Sequence, residues 1–231
     1  MVLTTRYSPL ETNAWYSPTD GVPFSYPNLY RTVVSQFVTA PTSIHWGVAL
    51  RILRYLRGTQ FQTLLFPSTF SLELRAYSDV DWDGDRYDRK STTGFCVFLG
   101  ESLISWKSKK QDVVSRSSTE VEYHAMTVTT CEIIWLRWLL ADMGVYISSS
   151  TPLHCDNKSA IQIAKNSVFH ERTKHIEIDC HFTRHHLQLG TISLPFVSST
   201  LQLADSFTKA LSASRFRFLC DKLSMLIVVA L

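Results

Sequence analysis

The sequence predicts an α/β domain, a mixed sheet with helices on both faces. Three observations carry that expectation. Three strand-like segments follow one another between Leu72 and Trp106. A long helical run, Thr119 to Met143, comes next, and shorter strands and helices then alternate to about Leu211. The resulting order is βββ-α-β-α-α-β-α, with no internal repeat.

Residues 1 to about 43 are rich in Ser, Thr, Pro and Tyr and read as loop, with a short helix near Asn28 to Phe37. From Ile44 to Leu56 the spacing of Val48, Ile52, Tyr55 and Leu56 is helical, with Arg51, Arg54 and Arg57 opposite and Gly58 as a stop. That basic face is either solvated or set against a phosphate backbone. Leu72 to Tyr77 alternates and runs into an acidic loop. Thr93 to Leu99 reads as a buried strand, and Ser102 to Trp106 follows a turn at Gly100, so two antiparallel hairpins are the simplest account. Ser117 and Glu120 form an S-x-x-E capping box for the long helix, which Gly144 ends. Tyr123, Met126, Ile133, Ile134, Leu136 and Leu140 give this helix a wide apolar face. Pro152 to Cys155 is a short strand entering Asp156-Asn157, with a helix to about Lys165. A helix over Ile176 to Leu189, a strand over Thr191 to Val197 and a final helix over Leu201 to Leu211 complete the layout.

Composition excludes more than it names. With 231 residues, 45% hydrophobic and 19% charged, the chain can bury a core and is not of disordered type. Lys plus Arg, 23, against Asp plus Glu, 20, leaves a net charge of +3, too weak an excess to announce a nucleic-acid binder unaided. The cysteines at 96, 131, 155, 180 and 220 are odd in number and contain no C-x-x-C, which disfavours a disulfide scaffold or zinc ribbon and suits a reducing cytosol. Met1 to Pro9 has no apolar run of the secretory type. The apolar stretch Leu223 to Leu231 falls short of the roughly 20 residues that span a bilayer, so it reads as a docked or frayed tail and no membrane partner is expected.

The acidic residues fall at telling places. Asp79 ends the first strand, Glu122 lies in the second turn of the long helix, Asp156 ends the fourth strand and Asp205 sits early in the final helix. Ligands collect beyond the carboxyl ends of parallel strands, and neighbouring first and fourth strands would bring Asp79 and Asp156 together there. Four carboxylates with no obvious neutralising Lys call for cations between them, and hard oxygen ligands favour Mg²⁺ or Mn²⁺. Two such ions can activate water and stabilise the leaving oxygen in phosphodiester hydrolysis. Each acid also has a structural reading. Asp156 could be an N-cap and Asp205 a first-turn charge, while Glu120 is the capping-box partner, about 200° around the helix from Glu122.

Other motifs carry less. Asp79 to Asp85 matches the opening of an EF-hand loop, but Lys90 stands where the bidentate Glu belongs. His170, His175, His181 and His185 lack a well-placed fourth zinc ligand and read as surface histidines. Lys107, Lys109 and Lys110 follow the third strand, and Arg116, Ser117, Ser118 and Thr119 open the long helix. A helix N-terminus with hydroxyls and an Arg suits phosphate oxygens, and such groups could read the wide minor groove of an A-form-like duplex.

Six blocks, in consistent order, resemble the ribonuclease H domain of copia-type retrotransposon polyproteins. They are Tyr77-Ser-Asp79-Val-Asp-Trp82, Arg89-Lys-Ser-Thr-Thr-Gly-Phe95, Ser115-Arg-Ser-Ser-Thr-Glu-Val-Glu-Tyr123, Cys155-Asp-Asn-Lys-Ser-Ala160, His170-Glu-Arg-Thr-Lys-His175 and Gln202-Leu-Ala-Asp-Ser-Phe-Thr-Lys209. The resemblance implies an α/β, ribonuclease H-like mixed five-stranded sheet of order 3-2-1-4-5. It also implies cleavage of the RNA strand of RNA–DNA hybrids with two Mg²⁺ ions, Mn²⁺ being an alternative. Asp79, Glu122, Asp156 and Asp205 fall where that family places its metal-binding carboxylates, and Asn157 joins the residues expected to touch nucleic acid. Residues 71–219 would form this module and 220–231 an apolar tail. Residues 1–70 look like the end of the reverse transcriptase and its connection, through Thr19-Asp-Gly21, Leu29-Tyr-Arg31 and Arg51-Ile-Leu-Arg-Tyr-Leu56. There the sequence departs from the family. A stretch with an Arg-Pro-Asp segment is missing between Val34 and Ser35, and no polymerase Tyr-x-Asp-Asp motif is present, so DNA synthesis is not expected. No His precedes Asp205 in Ser198-Ser-Thr-Leu-Gln202. The expectation is a metal-dependent ribonuclease H from a truncated element, originally working beside its reverse transcriptase in a cytoplasmic virus-like particle or in the nucleus. The alternative is a non-enzymatic remnant that at most binds duplex nucleic acid.

Overall fold

The computed structural model describes residues 16–26, 30, 37–68, 71–82, 89–112, 114–115, 117–166 and 177–227. The chain divides into two compact units, one from Leu64 to Lys209, the other from the residues up to Thr63 and those from Ala210 onward.

In the larger unit, alternation of buried and half-buried side chains builds β1 (Leu74–Asp81), and an almost wholly buried run builds β2 (Thr92–Leu99). β3 (Ser102–Lys110) follows the Gly100 turn, where φ is +58°, a conformation glycine adopts at little cost. Next come α1 (Ser118–Asp142), β4 (Thr151–His154), α2 (Lys158–Lys165), α3 (Glu177–Gln188) and β5 (Ile192–Ser193). The sheet order is β3-β2-β1-β4-β5. β1–β2 and β2–β3 are antiparallel, while β1–β4 and β4–β5 are parallel. This is the ribonuclease H-like mixed sheet of order 3-2-1-4-5. One apolar cluster joins it to the helices, with Leu74, Phe95, Val97 and Leu153 from the sheet meeting Tyr123, Met126 and Ile133 of α1 and Ala160 and Ile161 of α2.

In the smaller unit, the helix Ser43–Gly58 starts at Thr42, whose N–H donates to Nδ1 of the buried His45 at 3.1 Å. The other ring nitrogen of His45 donates to the Ser17 carbonyl at 2.9 Å, which fixes the tautomer. A second helix, Ala213–Lys222, is capped by Ser212, and short strands Gln62–Leu64 and Met225–Ile227 pair. The apolar tail is therefore strand over Met225–Ile227. Among the described residues no helix is long and apolar enough to cross a membrane.

Several elements differ from the sequence reading. The final helix over Leu201 to Leu211 is absent. Two 3₁₀ turns, Ser199–Leu201 and Leu203–Phe207, stand there, and the helix comes later, after Ser212. The strand over Thr191 to Val197 shrinks to Ile192–Ser193 plus a bridge between Phe196 and Cys155, because Pro195 offers no ladder N–H. β1 runs on to Asp81, so Asp79 lies within a strand and not in a calcium loop. β3 extends through Lys110 as an edge strand whose lysines face solvent, a common guard against edge pairing. The short helix near Asn28 to Phe37 falls mostly outside the described residues.

Candidate active site: four carboxylates and a lysine

Parallel pairing of β1 with β4 sets Tyr77 opposite His154, their rings stacked at 4.5 Å. Two residues further on stand Asp79, still in β1, and Asp156, just past the end of β4. Sheet register alone therefore brings these two acids side by side at the carboxyl ends of adjacent parallel strands. Asn157, not Asp156, is the N-cap of α2, its Oδ1 accepting the Ala160 N–H at 3.0 Å. The N-cap reading of Asp156 is thereby removed, and Asp156 accepts a hydrogen bond from Ser199 Oγ at 2.7 Å.

Glu122 enters from α1. Ser117 caps that helix, its Oγ accepting the Glu120 N–H at 3.2 Å, and five residues on Glu122 is buried while Glu120 stays half-exposed. Asp205 arrives on the Leu203–Phe207 turn, which is pinned from several sides. The fully buried Gln202 donates Nε2 to the Ser78 carbonyl at 2.9 Å and accepts the Ala204 N–H at 3.2 Å. Ser108 Oγ donates to the Phe207 carbonyl at 2.6 Å, and the Thr208 hydroxyl donates to Asp79 Oδ2. Gly94 of β2 makes the approach feasible, since a Cβ there would sit 2.6 Å from Thr208 Cγ2 and 2.8 Å from Phe207 Cβ.

The neutralising cation that the sequence reading did not find is Lys209. Its Nζ donates to Asp79 Oδ1 at 2.9 Å and to Asp205 Oδ1 at 2.7 Å. The i,i+4 spacing from Asp205 was the available signal, blunted because that segment read as a helix surface. Burial pushes the Asp79 carboxyl up to about 6, even though Lys209 and the Thr208 hydrogen bond act the other way. Glu122 is pushed up to about 9, by burial first and then by the charges of Asp79 and Asp156, with Asp205 adding and Lys209 opposing. All four acids thus share one electrostatic site. Within it Glu122 Oε2 is buried with no hydrogen-bond partner among the described residues. Ligand atoms of Glu122, Cys155 and Asp156 lie within 4.8 Å of one another, the one such trio found among the described residues. Nothing in the sequence marks Cys155 as a ligand, since it belongs to no C-x-x-C pair and meets Glu122 only through packing of β4 against α1.

The basic residues flank this site on β3 and α1. Lys107, Lys109 and Lys110 are exposed, and together with Thr93, Gln111 and His124 they line a cavity of about 160 Å³. His124 is held by Asp179 at 2.9 Å, a bond that raises its pKa. Ser118 is exposed and Thr119 half-buried, whereas the side-chain oxygens of Ser117 and Asn157 serve as helix caps. Arg116, His170 and His175 lie outside the described residues. His181 and His185 are exposed on α3.

No family model matches the chain. The chain is 42% identical over 205 residues, 88% of its length, to the retrovirus-related Pol polyprotein from transposon RE2 of Arabidopsis thaliana. It is 39% identical over 191 residues, 83% of its length, to the corresponding protein from transposon TNT 1-94 of Nicotiana tabacum. It spans 14% of the length of each of these relatives. Among solved structures, LC11-RNase H1 in complex with an RNA/DNA hybrid matches 59% of this chain and 94% of its own, at TM-score 0.44 and 9% identity. With relatives of this identity along most of its length and a sheet of the ribonuclease H order, the chain belongs to the family of retrovirus-related Pol polyproteins of copia-type transposons.

Proposed function

We propose that the unit from Leu64 to Lys209 is a ribonuclease H-type endonuclease that cleaves the RNA strand of RNA–DNA hybrids, working within a retrotransposon Pol polyprotein beside its reverse transcriptase. The observation that carries this reading is the convergence of Asp79, Glu122, Asp156 and Asp205 from four separate segments, with Glu122 buried and one of its oxygens unpartnered. Side-chain oxygens gathered in this way suit a hard divalent cation. The residues present fit Mg²⁺ or Mn²⁺: the orphaned Glu122 oxygen wants a positive partner, and Asp79 and Asp205 already hold an ammonium between them. Asp79, Glu122 and Asp156 would hold one ion, and Asp79 and Asp205 a second. What such ions supply is activation of a water and neutralisation of charge on the leaving oxygen.

The chain's own groups do the rest. Lys107, Lys109 and Lys110 attract the phosphate backbone, and the N-terminus of α1, with Ser118 and Thr119, offers N–H and hydroxyl donors to phosphate and 2′-OH oxygens. The amide nitrogen of Asn157 faces the same substrate while its oxygen caps α2. Lys209 keeps Asp79 and Asp205 in place until a cation arrives.

A hybrid-cleavage assay on the purified chain tests this. Nicking of the RNA strand in Mg²⁺ or Mn²⁺, lost in Asp156→Asn, is expected. No cleavage by folded protein with either ion would overturn the proposal, and hybrid binding without cleavage would favour the non-enzymatic remnant.

A further inference from the structure

Cys155 brings to this site a sulfur that hard-cation chemistry does not use. It continues β4, is fully buried, and belongs to the cluster that packs against Tyr123 of α1, which brings its thiol to the neighbouring Glu122. Its Sγ accepts the Asn157 N–H at 3.3 Å, and burial pushes the thiol up, so it holds its proton until a metal displaces it. Its sulfur, a Glu122 oxygen and an Asp156 oxygen all fall within 4.8 Å of one another. Glu122 is independently notable, being more than nine-tenths buried with Oε2 unpartnered.

We propose that Glu122, Cys155 and Asp156 form a site for a soft or borderline divalent cation, of the Zn²⁺ or Cd²⁺ class, in which one thiolate and two carboxylates hold the ion. The inference rests on the reading that Glu122 and Asp156 face a cation, and it deepens that reading by assigning the site a second class of ion. The chemistry is a ligand exchange. The S–H bond of Cys155 breaks, its electron pair forms the metal–sulfur bond, and the proton leaves to solvent. Three protein ligands leave an open position, as borderline cations accept. Mg²⁺ has little affinity for sulfur, takes only the oxygens, and leaves the buried thiol protonated. A soft ion therefore competes with the hard one at Glu122 and Asp156 and silences the enzyme.

Cd²⁺ titration read by the ultraviolet sulfur-to-metal charge-transfer band tests the site without reference to activity. The experiment is done in a Cys131→Ser background, because Cys131 is the exposed cysteine. The band is expected in this protein and lost on adding Cys155→Ser. Zn²⁺ calorimetry in two buffers should show one extra proton released when Cys155 is present. Adding Glu122→Gln or Asp156→Asn, which leaves the thiol in place, should weaken Cd²⁺ binding by about tenfold or more. This second arm decides the matter should Cys155→Ser not fold. No band in the folded protein, a band that survives Cys155→Ser, or unchanged Cd²⁺ affinity in both carboxylate variants would overturn the proposal. A protein that shows the band but never cleaves hybrids sinks the nuclease reading and leaves this site standing. One that cleaves with no band does the reverse.

Discussion

An ammonium 2.9 Å from Asp79 and 2.7 Å from Asp205 gives the metal-free protein the charge balance that divalent ions would otherwise provide. Removing one partner of a buried ion pair typically costs about 3–5 kcal/mol. The Lys209 side chain is 38% exposed, so solvent screening brings the expected cost of Lys209→Met down to roughly 1–2 kcal/mol. Urea unfolding in chelator should show that loss, and Mg²⁺ should restore more stability to the variant than to the wild type. Equal Mg²⁺ responses would mean that Lys209 and the cation do not share the same acids. Glu122 behaves in the opposite way, because its carboxyl is buried without a partner for Oε2. Glu122→Gln removes a group that resists ionisation, so in chelator at pH 8 the variant should melt no lower than the wild type. Its melting temperature should rise much less on adding Mn²⁺, a comparison thermal scans make directly.

At the scale of elements, the Leu203–Phe207 turn delivers Asp205, Thr208 and Lys209 to one strand position, and it does so across Gly94. A methyl at Gly94 would meet Thr208 Cγ2 and Phe207 Cβ closer than real carbon contacts allow. Gly94→Ala should therefore push the turn outward and cut hybrid cleavage by more than tenfold while far-ultraviolet circular dichroism stays unchanged. Wild-type cleavage by this variant would show that the turn gives way without moving Asp205. Ser117→Ala removes the cap of α1 and should cost about 1 kcal/mol in urea unfolding, the usual worth of such a cap. Elements with strong local signals were legible in the sequence. α1 starts one residue before its expected start, and Asn157 caps α2 from the very dipeptide picked as a helix start. The turn was not legible. Leu201, Leu203, Ala204 and Phe207 mimic a helical face, and what holds the segment in 3₁₀ form is long-range, with Gln202 bonded to Ser78 and Thr208 to Asp79. The candidate acids Glu122 and Asp156 stand out by their places early in a long helix and just after a strand, while Asp205 reads as part of a helix that is in fact a 3₁₀ turn, and Lys209 and Cys155 join the cluster only through tertiary packing that no local pattern encodes.

Over the whole molecule, the buried acids set how stability responds to pH. In metal-free protein, burial raises Glu122 from its ordinary value of 4.5 to about 9 and Asp79 from 3.8 to about 6. Between the unfolded and folded values the native state binds more protons than the unfolded chain, so unfolding free energy falls as pH rises. The contribution of each group is complete below its unfolded value and gone above its folded one. His124, raised by its bond to Asp179, acts in the same direction. Asp79 confines its share to the acid side of about pH 6, which leaves the fall from neutrality toward pH 9 mainly to Glu122. In chelator the urea midpoint should therefore decline steadily from pH 5 to pH 9. Saturating Mg²⁺ favours the ionised carboxyls, removes the excess protons from the native state and flattens the slope. Glu122→Gln separates the contributions, since in chelator it should remove most of the decline above neutrality and make the fall below pH 6 shallower, leaving there the share of Asp79. A wild-type midpoint that stays level between pH 7 and pH 9 without metal would mean that water reaches Glu122, and with it the ground for a cation at that carboxylate would go.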